Sequence, residues 1–258
     1  MENALLVGLS RQMVLGRALD VVANNIANVN TTGFKGDNPI FEQYLMPVAR
    51  ENRFPQPDQP VSFVDSKGTW RDLRAGPIEH TGNPLDVAIN GDGYLTVQTA
   101  NGERYTRSGS LQINAQGQLV TADGAPVVGD SGPIVFQNTD HSVSISPDGR
   151  VSVVEGGATT TESLRGTIRL VRFDQPQLLQ KEGDNTYSAP AGVAPTPDPS
   201  SRLVQGSIEK ANVSAVVQMT RLIDISRAYQ QVANLLQNES DLHKTAIQQL
   251  ARDRKSVV

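Results

Sequence analysis

The stretch Ala23-Asn24-Asn25-Ile26-Ala27-Asn28-Val29-Asn30-Thr31-Thr32-Gly33-Phe34-Lys35 closes a helical pattern that begins near Asn3 and turns it into a bend. Upstream, Leu15, Leu19, Val22, Ile26 and Val29 recur at spacings of three and four, which places them on one helical stripe. Leu5 extends that stripe, and Leu6, Leu9 and Met13 form a second one beside it. A helix over residues 3–29 would run about 40 Å at roughly 1.5 Å per residue, too long to lie flat on a small core. Gly8 and Gly16 each cost about 1 kcal/mol against alanine, so such a helix is weak in isolation. Asn28 and Asn30 begin to fray it, Gly33 offers a left-handed stop, and Pro39 prevents its resumption.

The far end carries a matching signal. Residues 207–258 contain neither glycine nor proline, although the whole chain has 22 Gly and 15 Pro. Asn212 is placed as an N-cap, and Leu222, Ile225, Tyr229, Val232 and Leu236 step onward by three and four. A helix over residues 213–251 would run near 60 Å at roughly 1.5 Å per residue.

Between these ends the pattern changes. Pro47, Pro55, Pro57 and Pro60 mark an extended, loop-like connection over 47–60. From about Val61 the apolar period becomes two, with short runs at 85–89, 94–97, 119–121 and 168–173. Asn101-Gly102, Gln116-Gly117, Asp123-Gly124 and Asp148-Gly149 punctuate them with hairpin turn chemistry. Pro190, Pro195, Pro197 and Pro199 mark a second linker. The expected class is α+β: long N- and C-terminal helices paired as a coiled-coil-like terminal domain, with an inserted, mainly antiparallel β domain. The expected segments are an N-terminal helix and motif over 1–35, an extended linker region over 36–74, the β domain over 75–188, a Pro-rich linker over 189–206 and a C-terminal helix over 207–258.

Composition narrows the function. At 258 residues the chain can bury a proper core, yet only 38% of it is apolar and 5% aromatic, which fits ends that bury surface against neighbours. A net charge of −4, with both signs spread along the chain, offers no basic field for a phosphate backbone, so nucleic acid is not expected as a partner. Cysteine is absent, which removes disulfides and thiolate chemistry. The opening Met1-Glu2-Asn3-Ala4 and Arg11 do not read as a cleavable signal peptide, and no run is long and apolar enough to cross a membrane. His80, His141 and His243 share no ligand spacing. Gly91-Asp92-Gly93 reads as a turn before a strand rather than a nucleotide loop, and Glu182 with Asp184 as solvated charge. No catalytic residue, metal, cofactor or small-molecule substrate is expected.

Two amphipathic helices longer than a small domain is wide need partners for their stripes. A helix pair leaves part of each stripe wet, whereas multi-helix packing between subunits covers it and couples folding of the ends to assembly. Heterologous contacts that do not close build an open helical array, the geometry of a rod or tube.

The motifs sharpen this expectation. Ala23-Asn24-Asn25-Ile26-Ala27-Asn28 with Thr32-Gly33-Phe34-Lys35 resembles the N-terminal signature of the axial proteins of the bacterial flagellum, which form its rod, hook and hook–filament junction. Gly91-Asp92-Gly93-Tyr94-Leu95, Tyr105-Thr106-Arg107-Ser108-Gly109-Ser110, Gly117-Gln118-Leu119-Val120 and Gly129-Asp130-Ser131-Gly132-Pro133-Ile134 resemble the family's central motifs. Gln205-Gly206-Ser207-Ile208-Glu209-Lys210-Ala211-Asn212-Val213 and Arg227-Ala228-Tyr229 resemble its C-terminal one. Within the family, Met1-Glu2-Asn3-Ala4-Leu5 and Gly68-Thr69-Trp70-Arg71-Asp72-Leu73-Arg74 look most like proximal-rod members.

The resemblance implies a structural rod subunit that transmits torque without chemistry, located in the basal body across the periplasm. It also implies partnership with copies of itself, other rod subunits and the type III export apparatus, and export without a cleaved signal. The expected assembly interface comprises Leu15, Leu19, Val22, Ala23, Asn24, Asn25, Ile26, Ala27, Asn28, Thr32, Gly33, Phe34 and Lys35, with Asn212, Val213, Leu222, Ile225, Arg227, Tyr229, Val232 and Leu236. Asparagine suits such a place because it bonds neighbouring backbones at a crowded helix end without charge. The alternatives are a distal-rod or hook-type subunit, or a ligand-binding or enzymatic β domain with helical oligomerisation ends. The last requires a deep pocket with converging polar groups within 75–188.

Overall fold

The computed structural model describes residues 2–46, 61–156 and 162–255, with side chains described over 6–42, 68–156 and 162–249 apart from 246 and 247. Helix α1 (Glu2–Ala27) opens the chain and helix α2 (Ala215–Lys255) closes it, with strands, turns and a 3-10 turn at Pro176–Leu178 between them. The chain divides into two compact units. The helical unit comprises Met1–Ala27, Asp37–Trp70 and Ser214–Val258; the β unit comprises Asn28–Gly36 and Arg71–Val213.

In the helical unit α1 buries Val14, Ala18, Val22 and Asn25, a stripe stepping by four, four and three. Of the expected stripe, Val22 is buried, while Leu15, Leu19 and Ile26 flank it half-buried. Asn25 behaves as a spare peptide group, its Nδ2 donating to the Asp37 carbonyl at 2.7 Å and its Oδ1 accepting from the Asp37 amide at 3.0 Å. The Leu5 side chain lies outside the described ones.

The α+β class stands, but the coiled-coil-like pairing of the helices is corrected. A coiled coil buries its two repeating core positions on both partners. Here Leu222, Ile225, Tyr229, Val232 and Leu236 are only half-buried, and Gln218 is the buried side chain among the described residues of α2. The helical unit also holds a strand pair, Asp37–Met46 with Val61–Arg71, in the region expected as an extended linker. Pro39 and the polar residues around it hid the first strand from a search for apolar runs, while the second begins where the apolar period becomes two, at Val61. The proline-rich 47–60 lies outside the described residues.

The β unit is built on a six-stranded sheet in the order Gln180–Lys181, Thr186–Ser188, Gly102–Thr106, Tyr94–Thr99, Leu170–Arg172, Thr196–Pro197. Its pairings are antiparallel, with Leu95 opposite Leu170, Thr96 opposite Tyr105 and Tyr105 opposite Tyr187. The period-two expectation holds: Leu95 and Val97 enter an aliphatic core with Leu119, Val127, Ile134 and Val151, while Tyr94 enters an aromatic one. There Tyr105 meets Phe173 edge-on at 4.8 Å and Tyr94 meets Tyr187 at 6.0 Å. Asn101-Gly102 and Asp148-Gly149 sit at hairpins, the latter joining Asp140–Ile145 to Arg150–Glu155.

The segment expected as a second linker contributes strands. Thr196–Pro197 sits at a sheet edge, where proline's missing amide leaves no ladder bond unmade. Arg202–Gln205 pairs with Val87–Asn90, and Ser207–Glu209 pairs with Ile78–His80. Helix α2 therefore begins later than expected, at Ala215, where the Ser214 carbonyl accepts the Gln218 amide at 3.0 Å.

Candidate functional site

The bend after α1 ends inside the β unit. Thr31 closes a turn onto Asn28, its amide reaching the Asn28 carbonyl at 3.0 Å. Gly33 then takes φ 67° and donates its amide to the Glu209 carbonyl at 2.6 Å. Any other residue here would suffer twice, because a Cβ would lie 2.4 Å from the Arg107 carbonyl carbon and the left-handed backbone disfavours side chains. Phe34 follows, 1% exposed, with the Lys181 ammonium 4.0 Å above its ring. Lys35, also 1% exposed, points inward and donates to Glu209 Oε1 at 2.6 Å and to the Arg74 carbonyl at 2.8 Å.

Glu209 reaches the same point from the other end of the sequence. Strand Ser207–Glu209 turns Ser207 and Glu209 inward and leaves Ile208 half-buried. Glu209 Oε1 accepts from Lys35 and from the Gly76 amide at 2.8 Å, and Oε2 accepts from Arg107 Nε at 2.9 Å. The rest of the Arg107 fork donates to the Gly93 carbonyl at 3.1 Å and the Gly91 carbonyl at 2.8 Å, and its guanidinium lies 5.5 Å from the Tyr94 ring centre. Asn212 completes the join. It receives the Gly36 amide on Oδ1 at 2.8 Å and donates from Nδ2 to the Asp72 and Arg74 carbonyls at 2.7 and 3.0 Å.

One buried carboxylate thus faces two cations. Burial works to raise the Glu209 carboxyl, but the Arg107 charge, the bond from Lys35 and the Gly76 amide outweigh it and hold it below the usual carboxylate range. Burial lowers the Lys35 ammonium, and the like charge of Arg107 adds to that against the pull of Glu209. Burial and the neighbouring guanidinium thus both work against the Lys35 charge.

The expected interface residues divide. Gly33, Phe34, Lys35 and Asn212 meet in this join, with Thr32 beside it, its carbonyl accepting from Asn185 at 2.7 Å. Val213 follows, half-buried. In the helical unit Val22 and Asn25 are buried, Leu15, Leu19, Ile26, Leu222, Ile225, Tyr229, Val232 and Leu236 are half-buried, and Ala23, Asn24, Ala27 and Arg227 are exposed. Asn28 is half-buried in the β unit. Sequence reasoning gave Arg107 and Glu209 no role, although each stands as a charge within a motif of small and apolar residues, which was the available signal.

The join is suited to holding segments together rather than to reacting, since its donors and acceptors are committed to one another and its charges are out of reach of solvent. A cavity of about 430 Å³ lies elsewhere in the β unit, lined by Asp148, Arg169, Asp198, Ser201 and Arg202 among others. Burial tends to raise Asp198, but bonds from Ser200 and Ser201 bring it down to about 2, and a bond from Ser146 lowers Asp148. Neither carboxyl is poised for acid–base work near neutrality. Among the described residues no cluster of His, Asp or Glu could hold a metal ion.

Family profiles match in three places. That of the flagella basal body rod protein covers residues 5–35, that of the flagellar hook protein FlgE/F/G D1 domain covers 88–153, and that of the flagellar basal body rod FlgEFG protein C-terminal covers 204–249. The chain is 41% identical over 254 residues to the flagellar basal-body rod protein FlgF of Caulobacter vibrioides, covering 98% of this chain and 99% of that one. It is 32% identical to FlgF of Mesorhizobium japonicum, covering 97% and 98%, and 31% identical to the rod protein FlgG of Bacillus subtilis, covering 94% and 97%.

Proposed function

This chain belongs to the flagellar basal-body rod protein family, and on that premise we propose that it builds the rod by burying the outer faces of its terminal helices against sister and neighbouring subunits. Members of the family are structural subunits of the flagellum basal body that assemble with other rod and flagellar components.

The observation that carries the helix-face reading is a second apolar stripe on each helix. On α2, Val216, Met219 and Ile223 step by three and four and are 74%, 51% and 50% exposed, apart from the half-buried row at Leu222, Ile225 and Tyr229. On α1, Leu6, Leu9 and Met13 are likewise exposed. A helix with one row covered at home and another open to water is built for neighbours on more than one side. A shaft made this way transmits torque through packing. The half-buried row and the Asn-rich end of α1 serve the same interface at its inner edge.

The finer placement is the proximal rod, supported by the opening Met1-Glu2-Asn3-Ala4-Leu5 and by Gly68-Thr69-Trp70-Arg71-Asp72-Leu73-Arg74. The rod reading carries with it a periplasmic position and passage through the type III export apparatus without a cleaved signal. The test is the triple substitution Val216→Ser, Met219→Ser and Ile223→Ser in a strain relying on this chain. The isolated protein keeps the far-ultraviolet signal of its β unit while swimming is lost; normal swimming would overturn the helix-face reading.

A further inference from the structure

We propose that residues 33–36 and 205–213 form a strap that opens and closes as one unit, latched by the Glu209 carboxylate, and that its closure is the last step in folding of the β unit. The strap is tied across by bonds between distant parts of the chain: the Gly33 amide to the Glu209 carbonyl, the Gly36 amide to Asn212 Oδ1, the Asn212 amide to the Phe34 carbonyl, the Lys210 amide to the Pro77 carbonyl and the Gly76 amide to Glu209 Oε1.

The latch makes intermediate states unfavourable. Lys35 and Arg107 cannot be buried as unpaired cations, and Glu209 cannot be buried without them, so each partner waits for the others. A half-closed strap strands a charge, whereas an open one leaves all three in water and a closed one pairs them at 2.6 and 2.9 Å. No side chain of 33–36 or 205–213 belongs to the aliphatic or the aromatic core, so both cores can form with the strap open. A chain is made from its N-terminus, so residues 33–36 must wait for residues 205–213. The segments that continue into α1 and α2 are consequently joined only in a complete chain.

Hydrogen exchange on the full-length protein tests this. Glu209→Gln keeps the shape of the side chain and removes its charge. In the parent the amides of Gly33, Gly36, Gly76, Lys210 and Asn212 should share one protection factor, at least about tenfold below those of Leu95, Val97 and Thr106, and in the variant these five should exchange faster by one common factor. Unequal factors among the five, no change in them in the variant, or five amides as strongly protected in the parent as Leu95 and Val97 would overturn the proposal. Should that chain fail to fold, Asn212→Ala, which removes neutral bonds only, decides by the same comparison: one common rise at Gly33, Gly76 and Lys210 supports the strap, and unequal rises or none refute it.

Discussion

Glu209 balances two cations with one carboxylate, and this imbalance ranks the substitutions around it. Glu209→Gln leaves Lys35 and Arg107 buried without a counter-charge and should cost about 3–5 kcal/mol. Lys35→Met removes the surplus cation, keeps the Arg107–Glu209 pair, and should cost at most about half as much by the same reasoning. Urea unfolding followed by fluorescence measures both, and a larger loss for Lys35→Met would contradict the charge account. The residues themselves were visible as charges inside motifs, but their meeting was not. Lys35 and Glu209 stand 174 positions apart, and a lone lysine or glutamate reads as a surface residue unless its partner is known. Gly33 was legible as a left-handed stop; that the space beside it is filled by the Arg107 backbone was not.

At the scale of elements, helices and hairpins followed from period and turn chemistry, while their phases and the short strands did not. α1 follows from its spacing, yet its buried row runs through Val14 and Ala18, one turn-face away from the row that the larger apolar residues Leu15 and Leu19 mark in the sequence. The strand Ser207–Glu209 lies ahead of the helix that the spacing predicts from Val213, inside the segment assigned to the C-terminal helical end, because three residues carry too little periodicity to declare a strand. The turn before Arg202–Gln205 makes its own prediction. Asp198 receives the Ser200 and Ser201 amides and hydroxyls, and Ser201 Oγ receives the Gly93 amide at 3.0 Å. Its pKa is depressed from 3.8 to about 2, so the unfolded chain binds the proton first as pH falls. The stabilisation is whole above the unfolded value, amounts to about 2 kcal/mol, and is lost as pH falls through the folded value. Between pH of about 5 and 2, Asp198→Asn should therefore lose less stability on acidification than the parent. Urea midpoints across that range check this, and an unchanged slope would contradict it.

Over the whole molecule, the residues just beyond α1 and just before α2 belong to the β unit rather than to the helices they adjoin. The β unit claims Asn28–Gly36 and Arg71–Val213, so the join at Lys35, Arg107 and Glu209 is internal to it, and both helices expose apolar residues such as Leu6, Met13, Val216 and Met219. That division sets where the chain can be cut. The decisive measurement is the urea midpoint of a 28–213 fragment beside that of a 36–213 fragment. The first should unfold cooperatively, and the second, lacking Gly33, Phe34 and Lys35, should do so at clearly lower urea. Equal midpoints, or a 28–213 fragment that does not fold, would contradict the account.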